Sequence, residues 1–371
     1  MNILVLHSNY TSGAASGENQ VVSDEIRLLR DGGHSVQVLA PTPEVSKPSD
    51  MARIAAGALW GRHSAAQVRE AITRHHVDIV HCHNLYPMLS PTVIRAAHEM
   101  DRPVVMTLHN HRMMCLNGTL LRDGHPCEDC VGKTPLSGVI HGCYRNSRPE
   151  SALLATSITI HRRAGSFASV TRYLAVSGYI AKRHIEIGIP REQIAIKPNF
   201  AWPGKKRMGP GLYSLYLGRF SEEKGVLELV RSWKPRYGKL LVVGEGPLRE
   251  DLNRISDPNI EVRDSVQPEV ARDLISEARA VLVPSLCHEG SPRVVLEAFA
   301  SGVPVIASRM GALPELIEEG RTGYLFDPRS QVERDAALAR LTNDEELVAI
   351  GSHAYRRWHR YYSPAAGLSG L

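Results

Sequence analysis

The chain has 371 residues, 43% of them hydrophobic, with 44 Lys and Arg against 39 Asp and Glu for a formal net charge of +5. That length exceeds what one hydrophobic core usually covers, so two domains are expected. No stretch approaches the ~18 to 20 apolar residues of a membrane span, and the opening MNILVLHSNY lacks the basic start and cleavage site of a secretory signal, so neither feature is expected and a cytoplasmic protein is.

In the first half, residues 2–6, 35–40, 78–81, 104–108 and 173–176 are short, mostly β-branched runs that predict strands, with helical patterns between several of them, as at 20–30 and 65–74. Strands alternating with helices indicate a parallel sheet wound on both faces. In such sheets ligands bind beyond the carboxyl ends of the strands, so the residues after each strand carry functional weight. The first strand is followed by HSNYTSGAASGENQ, where Gly13 and Gly17 would let the backbone approach a ligand closely, although the spacing is not the GxGxxG dinucleotide fingerprint. His81 ends the third predicted strand and His83 follows it, and His109, Asn110 and His111 follow the fourth. One histidine at a strand end is usually structural, whereas several converging on one crevice point to a ligand site. Charge is uneven as well: residues 1–200 hold 21 Lys and Arg against 16 Asp and Glu, while residues 201–371 hold 23 of each. The surplus suits an anionic acceptor or peripheral contact with an anionic membrane face, or serves solubility alone.

The run PNFAWPGKKRMGPG at 198–211 is rich in Pro, Gly and Lys and marks a hinge. Beyond it the alternation restarts, with strands predicted at 215–217, 239–243, 260–263, 280–283 and 304–307. The expected organisation is a first domain over 1–200, a second over 201–354, and an aromatic and basic segment over 355–371 that packs back on the first. LYLGRF at 215–220 reads as a strand running into a loop, and SEEKGVLEL then opens a helix with Arg219 and Lys224 at its mouth. Loops at 244–248, with Gly244 and Leu248, and at 264–267, with Val266, follow strands and can line a base and ribose.

The most specific signal is PSLCHEGSPRVVLEAFASGVPVI at 284–306. Glu289 and Glu297 bracket a Gly290-Ser291-Pro292 turn that opens an apolar helix ending at Gly302. At ~1.5 Å of rise per residue the two acids are about 12 Å apart along the axis, close to the span of a nucleotide-sugar from hexose to ribose. One acid can meet the sugar, the other the ribose, and the free amides at Gly290 and Ser291 the diphosphate. Arg219 and Lys224 add fixed cations for a departing nucleoside diphosphate. The chain has no Asp-x-Asp pair, so these cations and amides are expected to do the work of a divalent ion.

LGRFSEEKG at 217–225, GEGPLRE at 244–250, PSLCHEGSPRVVLEAFASGVPVIAS at 284–308, TLHN at 107–110 and the glycine-containing loop after the first strand resemble the retaining glycosyltransferases of family 4, over nearly the whole chain. The resemblance implies an α/β protein of the GT-B fold, two Rossmann-like doubly wound domains facing each other across a cleft. It also implies that Arg219 and Lys224 hold the diphosphate, that Glu289 sits at the transferred sugar, that Glu297 binds the ribose hydroxyls, and that His109 contacts the sugar near the anomeric carbon. Gly13 and Gly17 would approach the donor phosphates, although the loop reads GAASGEN where family members often carry adjacent glycines. The implied reaction moves a sugar from a UDP-, GDP- or ADP-sugar to a hydroxyl of a saccharide, lipid-linked saccharide or natural-product acceptor, with retention of configuration. A phosphate oxygen would take the acceptor's proton, so His109 and Glu289 position and stabilise, and neither a protein base nor a catalytic divalent metal is expected.

An insertion at 112–147 departs from the commonest family pattern and places Cys115, Cys127, Cys130 and Cys143 close in sequence. Cys127-x-x-Cys130 with a cysteine on either side has the character of a structural zinc site, with disulfides and free thiols as the alternatives. Its expected job is shaping the acceptor cleft. Cys82 and Cys287 are isolated and read as buried fillers. Other classes stay open: a hydrolase with His7, His81, His83 and His109 around a catalytic metal, another GT-B enzyme such as a phosphorylase or sugar-nucleotide epimerase, and a nucleic-acid-binding protein. In the basic first half, Lys and Arg are not interleaved with aromatics, so no nucleic-acid partner is expected. Base, sugar, acceptor and oligomeric state are not specified by these motifs.

Overall fold

The computed structural model describes residues 1–10, 16–44 and 46–371. The chain divides into two units, Met1–Leu120 with Cys127–Lys197, and Leu121–Pro126 with Pro198–Leu371.

In the first unit β1 (Asn2–Leu6), β2 (Ser35–Leu39), β3 (Ile79–Cys82) and β4 (Val104–Leu108) are parallel neighbours. A short antiparallel hairpin, β5 (Leu121–Arg122) and β6 (His125–Pro126), is grouped with the second unit. β7 (Arg172–Ala175) and β8 (Ile194–Ile196) complete the six-stranded first sheet in the order β2-β1-β3-β4-β7-β8. Side chains alternate across it, as a strand requires. Ile3 and Val5 pack with Val22 and Leu29 of helix Gly17–Asp31 on one face, while Leu4 and Leu6 join Val68, Val93 and Ile94 on the other. Helix Gly17–Asp31 begins three residues earlier than its apolar pattern suggests, because the Ser16 hydroxyl caps it by accepting the Asn19 amide at 3.3 Å.

The second unit repeats the design with β9 (Tyr213–Leu217), β10 (Leu240–Val243), β11 (Ile260–Arg263), β12 (Ala278–Val283), β13 (Val305–Ser308) and β14 (Gly323–Phe326). All are parallel, in the order β11-β10-β9-β12-β13-β14. Leu215, Leu241, Val281 and Val305 face one core and Tyr216, Val242, Leu282 and Ile306 the other. Strand order reverses between β1 and β3 in the first sheet and between β9 and β12 in the second. These are the switch points at which the loops leaving adjacent strands diverge and open a crevice.

The expected hinge and the segment expected to pack back on the first domain both make contacts within the second unit. In 198–211, the buried Arg207 guanidinium donates to the carbonyls of Arg279 and Leu347, each at 2.9 Å. In 355–371, Trp358 and Tyr362 are buried in the core beside Leu215 and Phe299, and the Trp358 indole donates to the Ala201 carbonyl at 3.0 Å.

Candidate active site

At the β9/β12 switch point the two outgoing loops are clamped backbone to backbone. The turn Glu222–Lys224 ends at Gly225, whose φ is 66° and where a Cβ would lie 2.1 Å from the Pro284 carbonyl oxygen. Only glycine permits that approach. The Glu223 carbonyl then accepts the amides of Leu286 and Cys287 at 2.9 and 3.2 Å. This clamp delivers Lys224 to Glu289: Nζ donates to Oε1 at 2.7 Å, and the same oxygen accepts the Ser285 hydroxyl at 2.5 Å. Ser285 is held in turn by the Ser308 hydroxyl on its carbonyl at 2.6 Å, and the Glu289 carbonyl accepts the Ala312 amide at 2.8 Å. Burial opposes the Lys224 charge, but the Glu289 carboxylate and its hydrogen bond outweigh it and raise the ammonium's pKa well above its ordinary value.

The other predicted residues of this unit are distributed around that pair. Arg219 leaves β9 with its side chain 61% exposed and its nearest acid, Glu223, at 3.9 Å, so it is a cation available to solvent. Gly290 and Ser291 immediately precede helix Arg293–Ala300; the Ser291 carbonyl accepts the Asn199 amide nitrogen at 3.1 Å, and its hydroxyl is buried with no partner. Glu297 lies within the helix, as expected, but its carboxylate is engaged by Arg293 one turn earlier at 2.7 Å. At Gly244 a Cβ would fall 1.9 Å from the Gly218 carbonyl oxygen, so the glycine is required by packing of the β10 loop on the β9 loop. Leu248 leans on the core around Val242 and Val266 on the core around Leu215, with the Leu248 amide donating to the Phe220 carbonyl at 3.0 Å. These three flank the switch point mainly as packing residues.

In the first unit the histidines after β1, β3 and β4 do converge. His83 Nδ1 and His109 Nε2 share a hydrogen bond of 2.8 Å, and His81 Nε2 shares one of 2.8 Å with Thr107 Oγ1. Beneath them is Glu25, buried in helix Gly17–Asp31, with Oε1 at 3.3 Å from His81 Nδ1 and 3.6 Å from His83 Nε2. Its other oxygen accepts from the buried Lys197 ammonium. Burial raises the Glu25 pKa, but Lys197 and the neighbouring imidazoles reverse the shift and hold it below the usual carboxylate range. Burial pulls His81 and His109 down to about 4 and His83 well below its ordinary value, so all are neutral near pH 7. His7, also lowered by burial, shares a 2.9 Å hydrogen bond with Asn19 Oδ1. A pocket beside them is lined by Glu18, Tyr86, His83, His109, Asn110 and Arg112. There Glu18 accepts from the Tyr10 hydroxyl at 3.2 Å and from Asn110 at 3.0 Å, and burial raises its pKa. Gly17 begins the nearby helix and is exposed with open space around its Cβ; Gly13 lies outside the described residues.

Glu25, His81 and His83 have ligand types and spacing that could hold a metal ion. Lys197 already neutralises the Glu25 carboxylate, so a dication would leave net positive charge buried without a counter-ion. That fit is poor. Of the four cysteines expected to hold zinc, Cys115 and Cys127 lie close enough to Cys130 that, after burial, their thiols raise its pKa. Cys115 Sγ donates to Asn117 Oδ1 at 2.9 Å, and Cys143 packs beside Tyr86 and Leu116. Glu25, Lys197, Glu18, Ser285 and Gly225 are the members of these sites that the motifs alone did not single out.

The profile described as Glycosyltransferase Family 4 matches residues 15–201, and that described as Glycosyl transferases group 1 matches residues 212–344. The chain is 24% identical over 384 residues to the phosphatidyl-myo-inositol mannosyltransferase of Mycolicibacterium smegmatis, which covers 95% of this chain and 88% of that one. It is 32% identical over 163 residues to sulfoquinovosyl transferase SQD2 of Arabidopsis thaliana, 42% of this chain but only 32% of the plant protein's length. Among solved structures, Anabaena HepE in complex with UDP and glucose superimposes with a TM-score of 0.66 at 16% identity, covering 100% of this chain and 97% of that one, a likeness of fold. The chain belongs to glycosyltransferase family 4, and its two doubly wound units are the Rossmann-like domains of the GT-B fold.

Proposed function

We propose that the protein transfers a hexosyl group from a nucleotide-sugar to a hydroxyl of a saccharide or lipid-linked saccharide, with retention of anomeric configuration. The observation that carries this reading is the Lys224–Glu289 pair at the β9/β12 switch point, with the exposed Arg219 cation and the amides of Gly290 and Ser291 on the same loops. Negative charge grows on the leaving diphosphate as the glycosidic bond breaks, and preorganised cations and amides lower the barrier by stabilising it. Lys224 supplies one such cation, and Glu289, held by Lys224 and Ser285, presents its remaining oxygen to the sugar. Glu297 receives the ribose hydroxyls, exchanging part of its contact with Arg293. Arg219, largely exposed and only 3.9 Å from Glu223, exchanges that contact for the phosphates. His109 positions the sugar. The acceptor hydroxyl attacks on the face the phosphate leaves and gives its proton to a phosphate oxygen.

Two similarities support the choice of ligands. HepE is described with UDP and glucose, and the mycobacterial relative is named for a lipid acceptor. The test is a thermal-shift screen of UDP-, GDP- and ADP-sugars, followed by NMR of the product formed with a saccharide acceptor. A bound donor stabilises the fold in proportion to the logarithm of its concentration over Kd. Retained anomeric configuration supports the proposal; inversion, or sugar phosphate formed without an acceptor, contradicts it.

A further inference from the structure

The buried Glu25–His83–His109 chain has no role in holding phosphate, yet it joins a residue assigned to the substrate to a carboxylate deep in the fold. We infer that His83 is a positioning residue which, oriented by Glu25, fixes His109 in the Nε2–H tautomer and leaves Nδ1 of His109 as a hydrogen-bond acceptor for a substrate hydroxyl. Assigning that hydroxyl rests on the proposed function, whereas the tautomer stands on this geometry alone.

The argument follows the protons. His83 Nε2 faces Glu25 Oε1 at 3.6 Å, and both atoms are buried with no hydrogen-bond partner. A bare nitrogen lone pair facing a desolvated carboxylate would be repelled, so the His83 proton belongs on Nε2. Its Nδ1 is then bare, and the 2.8 Å contact with His109 Nε2 can form only if His109 is the donor. A neutral imidazole carries one N–H, which leaves His109 Nδ1 with a lone pair. His81 obeys the same logic: Nδ1 faces Glu25 Oε1 at 3.3 Å and Nε2 meets the Thr107 hydroxyl, which can serve as donor. Lys197 keeps Glu25 ionised, and an ionised Glu25 accepts and never donates. The near-parallel rings of His83 and His109, 19° apart, are part of the same packed arrangement. The outcome is a two-step relay in which one carboxylate sets the orientation of a side chain it does not touch, as outer partners do for ligand histidines.

The test is imidazole 15N NMR on the full chain labelled at histidine, near pH 7.5, with His109 and His83 assigned by single substitution. The wild type should show both protonated at Nε2 only. His83→Asn places an amide oxygen where Nδ1 stood and should keep His109 as Nε2–H, whereas His83→Leu should lose the single tautomer and give an exchanging mixture. If His83→Leu does not fold, the wild-type spectrum and the Asn variant still decide. A proton on His109 Nδ1 in the wild type, an unchanged His109 signal in His83→Leu, or one equivalent of tightly held transition metal in protein purified without added metal would each overturn the relay. None of these readouts uses a donor, so they separate failure of the relay from failure of the proposed activity.

Discussion

The contact between Lys224 and Glu289 can be measured as a coupling energy. At 2.7 Å, and with effective dielectric constants between 80 and 20, two unit charges attract by roughly 1.5 to 6 kcal/mol. Desolvation and the ordering of a long lysine side chain oppose this. The two side chains are 29% and 11% exposed, between a surface pair worth about 0–1 kcal/mol and a buried pair whose disruption costs about 3–5 kcal/mol. A double-mutant cycle with Lys224→Met and Glu289→Gln should therefore give a coupling of about 2 kcal/mol. Trp202, Trp233 and Trp358 all lie in the second unit and Trp60 in the first, so urea unfolding followed by tryptophan fluorescence in a Trp60→Phe background isolates the relevant transition. A coupling within about 0.5 kcal/mol of zero would show that Glu289 does not hold Lys224, and the proposed preorganisation of the phosphate site would fail with it.

Gly225→Ala should destabilise the second unit by at least about 2 kcal/mol and weaken nucleoside diphosphate binding, because the Cβ meets the Pro284 carbonyl at a positive φ; unfolding and titration of the same variant check both. Stability should also fall with acid. The His81 pKa is lowered from 6.5 to about 4, so its contribution is fully present above pH 6.5 and is lost as pH falls towards 4; this group alone predicts a loss of about 2 kcal/mol between pH 7 and 5, measurable by denaturant unfolding of wild type and removed by His81→Gln. Glu297→Ala should weaken donor binding by roughly tenfold, about one hydrogen-bonded charge, and should also lower folding stability, because Glu297 and its partner Arg293 are only 18% and 14% exposed; unchanged donor affinity would remove Glu297 from the ribose site.

Most of the framework was legible because both sheets are built from buried apolar runs separated by turn residues. β10, with all four residues buried, and β1 announce themselves as such runs. β8 and β14 did not, since one has only three residues at a sheet edge and the other opens on glycine. Lys224 and Glu289 could be named from motif and His109 from its strand-end position, but the Lys224–Glu289 contact could not, because it depends on the backbone clamp at Gly225 and Glu223. Glu25 was hidden in another way. It occupies the apolar stripe of its helix between Val21, Val22, Leu28 and Leu29, where a charge is affordable only beside Lys197, 172 residues further along. A carboxylate within an apolar stripe was the signal available.

The central claim is that the loops leaving β9 and β12 grip a nucleoside diphosphate. Calorimetric titration of wild type and Lys224→Met with UDP, GDP and ADP tests it most directly. One of the three should bind at a single site per wild-type chain, and the variant should lose at least about tenfold in affinity, the worth of one charge-assisted contact. No binding by any of them, or equal affinity in the two proteins, would contradict the account.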